Sequence, residues 1–126
     1  MDDLLLLVDQ LWDQLEHQGI AQQTTVAIVS DMGRTPGYNS NDGKDHWPIS
    51  SMVFMGAGVT GNQVIGATTD SLAGVNINPL TLQKDNNGIP LTAAAVHKAI
   101  RYVSGVSQME INGTYPLEGE DLALFS

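Results

Sequence analysis

A chain of 126 residues with 42% hydrophobic side chains is long enough for one packed domain and too apolar for wholesale disorder. Lys and Arg number 5 against 14 Asp and Glu, a formal charge of −9 that repels nucleic acid and anionic lipid and leaves no basic stripe for phosphates. The absence of cysteine removes thiol nucleophiles, cysteine zinc sites and disulfides.

The run LLLLV at 4–8 is too short to cross a bilayer, and Asp9 and Asp13 follow it, so no membrane insertion is expected. No basic region precedes it, as a secretory signal would need. Leu4, Leu7, Val8, Leu11, Trp12 and Leu15 recur at three- and four-residue steps, which predicts an amphipathic helix over 3–18. Asp2 or Asp3 can cap it and Gly19 can end it. Leu5 and Leu6 widen the apolar face, so the helix is expected to pack against more than one neighbour.

TTVAIVS at 24–30 reads as a buried strand, ISSMVFM at 49–55 as a second and QVIGAT at 63–68 as a short third. Asn78-Pro79 and Asn87-Gly88 mark irregular connections. Thr92 can cap a helix over 93–104, with Val96, Ile100 and Val103 inward and Gly105 as its stop. The last twenty residues read as a turn and an extended tail. Helices flanking buried strands predict an α/β fold, yet two helices are thin cover for three strands. A homo-oligomer, or a missing amino-terminal half, would supply the rest.

Three short motifs have ordinary explanations. GAGVTG at 56–61 matches the glycine pattern of dinucleotide sites, but NQVIGAT follows in place of a helix. It reads as a glycine-rich connection, and no nucleotide is expected. Asn112-Gly113-Thr114 matches a glycan acceptor and reads equally as a turn. His17 and His97 read as surface or boundary histidines.

The polar excursion SDMGRTPGYNSNDGKDHWP at 30–48 concentrates the side chains that carry chemistry. Asp31 directly follows a predicted strand, where open α/β sheets place ligands. Asp31 and His46 are candidate ligands for a divalent metal of unknown identity, with Asp42 and Asp45 as weaker ligands or acceptors behind them. Arg34 can hold an oxyanion through directed N–H groups, and Lys44 can add positive charge. The same residues have quieter roles open to them: Asp31 capping a turn, Arg34 paired with Asp42 or Asp45, Trp47 in a core. Ser30 has no partner in the sequence that would activate it.

DMGRTP at 31–36 and NDGKDHWP at 41–48, then MGAGVTGNQVIGATTD at 55–70 and PLTAAAVHKAIRYVSGV at 90–106, resemble bacterial sulfatase-like proteins of unknown function in the alkaline-phosphatase superfamily. That resemblance implies a partial three-layer alkaline-phosphatase-like fold, a short central sheet with flanking helices, forming one domain or the carboxy-terminal part of a larger one. It implies a bacterial soluble protein, periplasmic in a full-length precursor. It makes Asp31, which stands for the family's usual glutamate, and His46 the leading metal ligands, with Arg34 and Lys44 as anion contacts. The nucleophile region has no counterpart, so the expectation is an incomplete hydrolase-like module. A structural or assembly module and a small metal-dependent ester hydrolase are the alternatives.

Overall fold

The computed structural model describes residues 2–125. Helix α1, Asp2–His17, follows the leucine periodicity, and helix α2, Ala93–Val103, follows its cap: the Thr92 hydroxyl accepts from the Ala95 amide at 3.2 Å. Both helices stop at the expected glycines, Gly19 and Gly105, each with positive φ. Strands β1, Thr25–Ile28, and β4, Val53–Gly56, pair antiparallel with Ala27 opposite Phe54 and Val26 opposite Met55. Between them, β2, Gly33–Arg34, pairs antiparallel with β3, His46–Trp47.

This arrangement corrects the three-layer expectation. The two sheets are separate, each two-stranded and antiparallel, with the β2–β3 hairpin inserted in the connection between β1 and β4. The predicted strand at 63–68 is irregular because Asn62 and Gly66 take positive φ, which a strand cannot accommodate. β1 is not a fully buried strand either; its residues alternate between exposed and half-buried. Two strands have no flanking strands to cover their edges, so the alternation of a sheet with one packed face appears. The tail was expected to be extended, but it opens with a turn of 3-10 helix at Val106–Gln108 and the short helix α3, Glu110–Thr114.

The core forms where α2 meets irregular chain rather than a sheet. Ile77 is completely buried and packs with Ala95, Val96 and Leu122, flanked by Met52, Phe54, Ile65, Leu82, Ile89, Ile100 and Leu124. Ile77 and Ile89 exchange backbone hydrogen bonds, each amide donating to the other's carbonyl at 2.9 Å. Gly88 must lie against this pair: a Cβ there would sit 2.2 Å from the Ile77 carbonyl oxygen. The tail returns to the core through Leu122, an edge-on contact of Phe125 with Phe54 at 5.5 Å, and the Lys98–Asp121 ion pair at 2.9 Å.

α1 stands apart from that core. Its carboxy-terminal half folds back on the 3-10 turn Ala21–Gln23, where Leu15 and Ala21 are buried, and Trp12 lies over Met55 and Gly56. Its amino-terminal half is bare. Leu5, Leu6 and Leu7 are 58%, 57% and 61% exposed, so the helix meets its neighbours through its carboxy-terminal half alone.

Replacing Gly88 with Ala should cost about 2–3 kcal/mol, because the new methyl meets backbone that cannot step aside. Gly37→Ala, where a Cβ meets nothing within 4 Å, should leave stability nearly unchanged. Urea midpoints of the two variants, at constant slope, check the contrast.

Candidate functional site

The excursion at 30–48 folds into a hairpin built on its own hydrogen bonds. The Ser30 hydroxyl donates to the Met32 carbonyl at 2.9 Å as the chain leaves β1, and Asp31 sits exposed in that turn. Gly33 then faces Trp47, and Arg34 faces His46. A Cβ on Gly33 would lie 1.9 Å from the Ile49 carbonyl oxygen, so glycine is what allows β2 to come this close. Further out, the Thr35 amide donates to the Asp45 carbonyl at 3.0 Å, and the Asp45 amide donates back to the Thr35 hydroxyl at 3.1 Å.

Asn39 organises the tip. Its side-chain oxygen accepts from the amides of Asn41 and Gly43, both at 3.0 Å, while its amide nitrogen donates to the Asp45 carboxylate at 2.8 Å. Asp42 takes positive φ at the turn, which a short polar side chain tolerates. The sequence reading missed Asn39, although the asparagine and glycine spacing of NSNDG is the signal for such a loop.

The structure brings some of the predicted site residues together and gives several of them local duties. Arg34 and His46 are cross-strand neighbours, and opposed residues share one face of a ladder. Arg34 Nη1 donates to the Lys44 carbonyl at 3.1 Å, in place of an ion pair with Asp42 or Asp45. Lys44 Nζ donates to the Pro36 carbonyl at 3.2 Å and lies 5.2 Å from the centre of the Tyr38 ring. Trp47 is half-buried, and its indole N–H donates to the Leu72 carbonyl at 3.0 Å, tying the hairpin exit to the next loop. Among the described residues no three His, Asp or Glu side chains are grouped to hold a metal ion.

Two other motifs have settled structural positions. GAGVTG forms the turn after β4, where the Thr25 hydroxyl donates to the Ala57 carbonyl at 2.7 Å. Asn112 lies in α3 rather than in a simple turn; its side-chain oxygen accepts from Arg101 and its amide nitrogen donates to the Ser107 carbonyl.

The most extensive unpartnered feature lies on α1. Leu4, Leu7 and Leu11 are spaced to share one face with half-buried Val8 and buried Leu15, yet they are 41%, 61% and 42% exposed. Asp2, Asp9, Asp13 and Glu16 recur at steps of seven, four and three residues and form an acidic stripe on the side of α1 opposite Leu4, Leu7 and Leu11. α1 carries no Lys or Arg. Asp9, Asp13 and Glu16 also rim a shallow groove whose floor is Val8, Trp12, Met55 and Gly56.

Comparison with known proteins gives one assignment. Residues 7–113 match the family model for DUF1501, described as a protein of unknown function. The chain belongs to the DUF1501 family. No curated protein and no solved structure gives a significant match. Membership of DUF1501 corrects the resemblance to sulfatase-like proteins of the alkaline-phosphatase superfamily, and with it the sulfatase-like and hydrolase-like description. The reading of an incomplete hydrolase module is corrected on the same ground, since the matched family has no assigned activity and the described residues hold no metal-binding group. No helix among the described residues is long and apolar enough to cross a membrane.

Asn39→Ala removes the side chain that holds both limbs of the hairpin tip. It should cost about 1–2 kcal/mol and speed amide exchange at Asn41 and Gly43, whose N–H groups then lose their acceptor. Exchange-detected NMR of the variant checks it.

Proposed function

We propose that this chain is a protein-interaction module whose uncovered helix is completed by another polypeptide surface. The observation that supports this reading is surface area. The chain exposes 9332 Å², whereas a compact monomer of 13.5 kDa exposes about 6,500 Å². The excess, roughly 2,800 Å², exceeds the roughly 800 Å² that each partner contributes to a standard interface.

Its most continuous apolar part is the α1 face. A helix of 16 residues is about 24 Å long, enough to lie along one partner helix for most of its length. Covering Leu4, Leu7 and Leu11, which share that face and are each about half exposed, would contribute on the order of 3 kcal/mol before the costs of association. The unpaired outer edges of β1 and β4 extend the same opportunity, because a two-stranded sheet offers backbone N–H and C=O groups on both sides. A second copy of the chain and a different protein are both partners of the required kind.

The test uses a synthetic amphipathic helix of Leu and Ser as a neutral probe. Binding should raise the melting temperature of the chain, and Leu4→Gln/Leu7→Gln/Leu11→Gln should abolish that shift while leaving the unliganded melt within a few degrees. A dimer forming at micromolar concentration and lost in the same variant would support the reading equally. No shift and no dimer, or either one persisting in the triple variant, would contradict it.

A further inference from the structure

The free edge of β1 gives the interaction reading, on which this step rests, a specific partner. We infer that a second copy of the chain pairs with it, β1 to β1 antiparallel about Ala27, so that two two-stranded sheets become one sheet of order β4-β1-β1-β4.

The hydrogen-bond pattern decides which backbone groups are on offer. The Ala57 amide donates to the Thr24 carbonyl at 3.0 Å, so in this register the backbone groups of Val26 and Ile28 face Met55 and Val53. Those of Thr25, Ala27 and Val29 face away from β4. Among the described residues no backbone group pairs with them, and β4 is the one element that β1 packs against. The edge is also unprotected: residues 24–30 hold no charge and no proline. The edge of β4 is less suited, since Met52 and Phe54 are committed to the core and positive φ at Gly56 ends the extended run.

The sequence of β1 fits its own image. Ala27 meets the partner's Ala27, Thr25 meets the partner's Val29, and Val26 meets the partner's Ile28. Small residues then lie at the axis, with branched ones beside them. Three hydrogen-bonded pairs exchange about six bonds, within the range a standard interface carries. The overall charge of −9 has no local expression here, because Asp31 lies past the end of β1. Antiparallel pairing sets the Asp31 residues of the two copies at opposite ends of the contact, farther apart than the screening length of about 10 Å.

The same pairing brings the two α1 helices together. Met55 meets Trp12 while Phe54 packs in the core, so α1 and the core take opposite faces of the sheet. The axis between antiparallel strands is normal to the sheet, which keeps both copies of α1 on one face. The two β4 strands are three spacings, about 14 Å, apart, and a helix is about 10–12 Å across, so the helices stand as neighbours. Leu4, Leu7 and Leu11 lie roughly a quarter turn from Val8 and Trp12, and they project sideways in the plane where the second helix stands.

Sedimentation equilibrium of the full chain should show a dimer at micromolar concentration. Ala27 is exposed, so Ala27→Lys and Ala27→Glu set like charges at the axis without disturbing the fold; each should weaken the dimer at least tenfold. Mixed in equal amounts they should form a heterodimer, which weakens at about 500 mM salt. Ala27→Pro removes an outward N–H and leaves the ladder to β4 intact, so it should abolish the dimer with a melt within a few degrees of the parent. If that variant fails to fold, the charge pair decides. All of these monomers should keep the melting shift induced by the Leu and Ser peptide.

A dimer that survives the Ala27 substitutions, no heterodimer from the mixture, or a chain monomeric to roughly 1 mM would overturn the strand pairing. Open-ended fibres in place of a dimer would do the same. In each case a peptide-induced shift leaves the helix reading standing. A dimer lost with Ala27→Lys but kept in Leu4→Gln/Leu7→Gln/Leu11→Gln would support the pairing and remove the helix reading.

Discussion

A chain with so little regular sheet needs another way to hold its middle together, and Ile77 supplies it. Its side chain is completely buried, its backbone is paired with Ile89, and Gly88 is held against its carbonyl so closely that no larger residue fits. Around it gather residues from four parts of the sequence: Phe54 from β4, Ile89 from the irregular stretch, Val96 from α2 and Leu122 from the tail. The core is therefore a knot of long-range contacts, and its stability comes from packing and from satisfying backbone groups that lie outside any ladder.

That solution has a consequence for α1. The knot draws together the carboxy-terminal two thirds of the chain, and the edge it offers to the first helix is Met55 and Gly56, where Trp12 of α1 meets it. A helix whose sequence provides apolar residues on a broad face is thus covered at one end and bare at the other. The exposed leucines of that bare half are what a partner surface would cover. The polar hairpin, by contrast, satisfies itself: Asn39, Thr35 and the backbone of Asp45 close it from within.

The helices were legible because helix signals are local. The three- and four-residue spacing of leucines, the Thr92 cap and the glycine stops act within a few residues of where they are written. Strands were less legible because their partners are distant. ISSMVFM contains a strand, but pairing with β1 places it at Val53–Gly56, and Gly66 breaks the apolar run that was read as another. Nothing in NINPL announces that Ile77 is the centre of the fold; its burial follows from pairing with Ile89 across an intervening loop. In the polar excursion the chemistry-bearing side chains were readable, whereas their division of labour was not. Arg34 and Lys44 have side chains suited to anions, and only the folded hairpin shows them donating to neighbouring carbonyls. The sulfatase-like resemblance rested on ordered short motifs, and those motifs form a hairpin, an irregular stretch and helix α2 in a DUF1501 protein.

Native-state amide exchange of the isolated chain tests most directly whether α1 lies outside the cooperative core. The first two turns of α1 should exchange by local opening, orders of magnitude faster than Ile77 and Ile89, whose amides should exchange only on global unfolding. Protection at Leu6 and Leu7 as great as at Ile77 would place α1 inside the core and contradict the account.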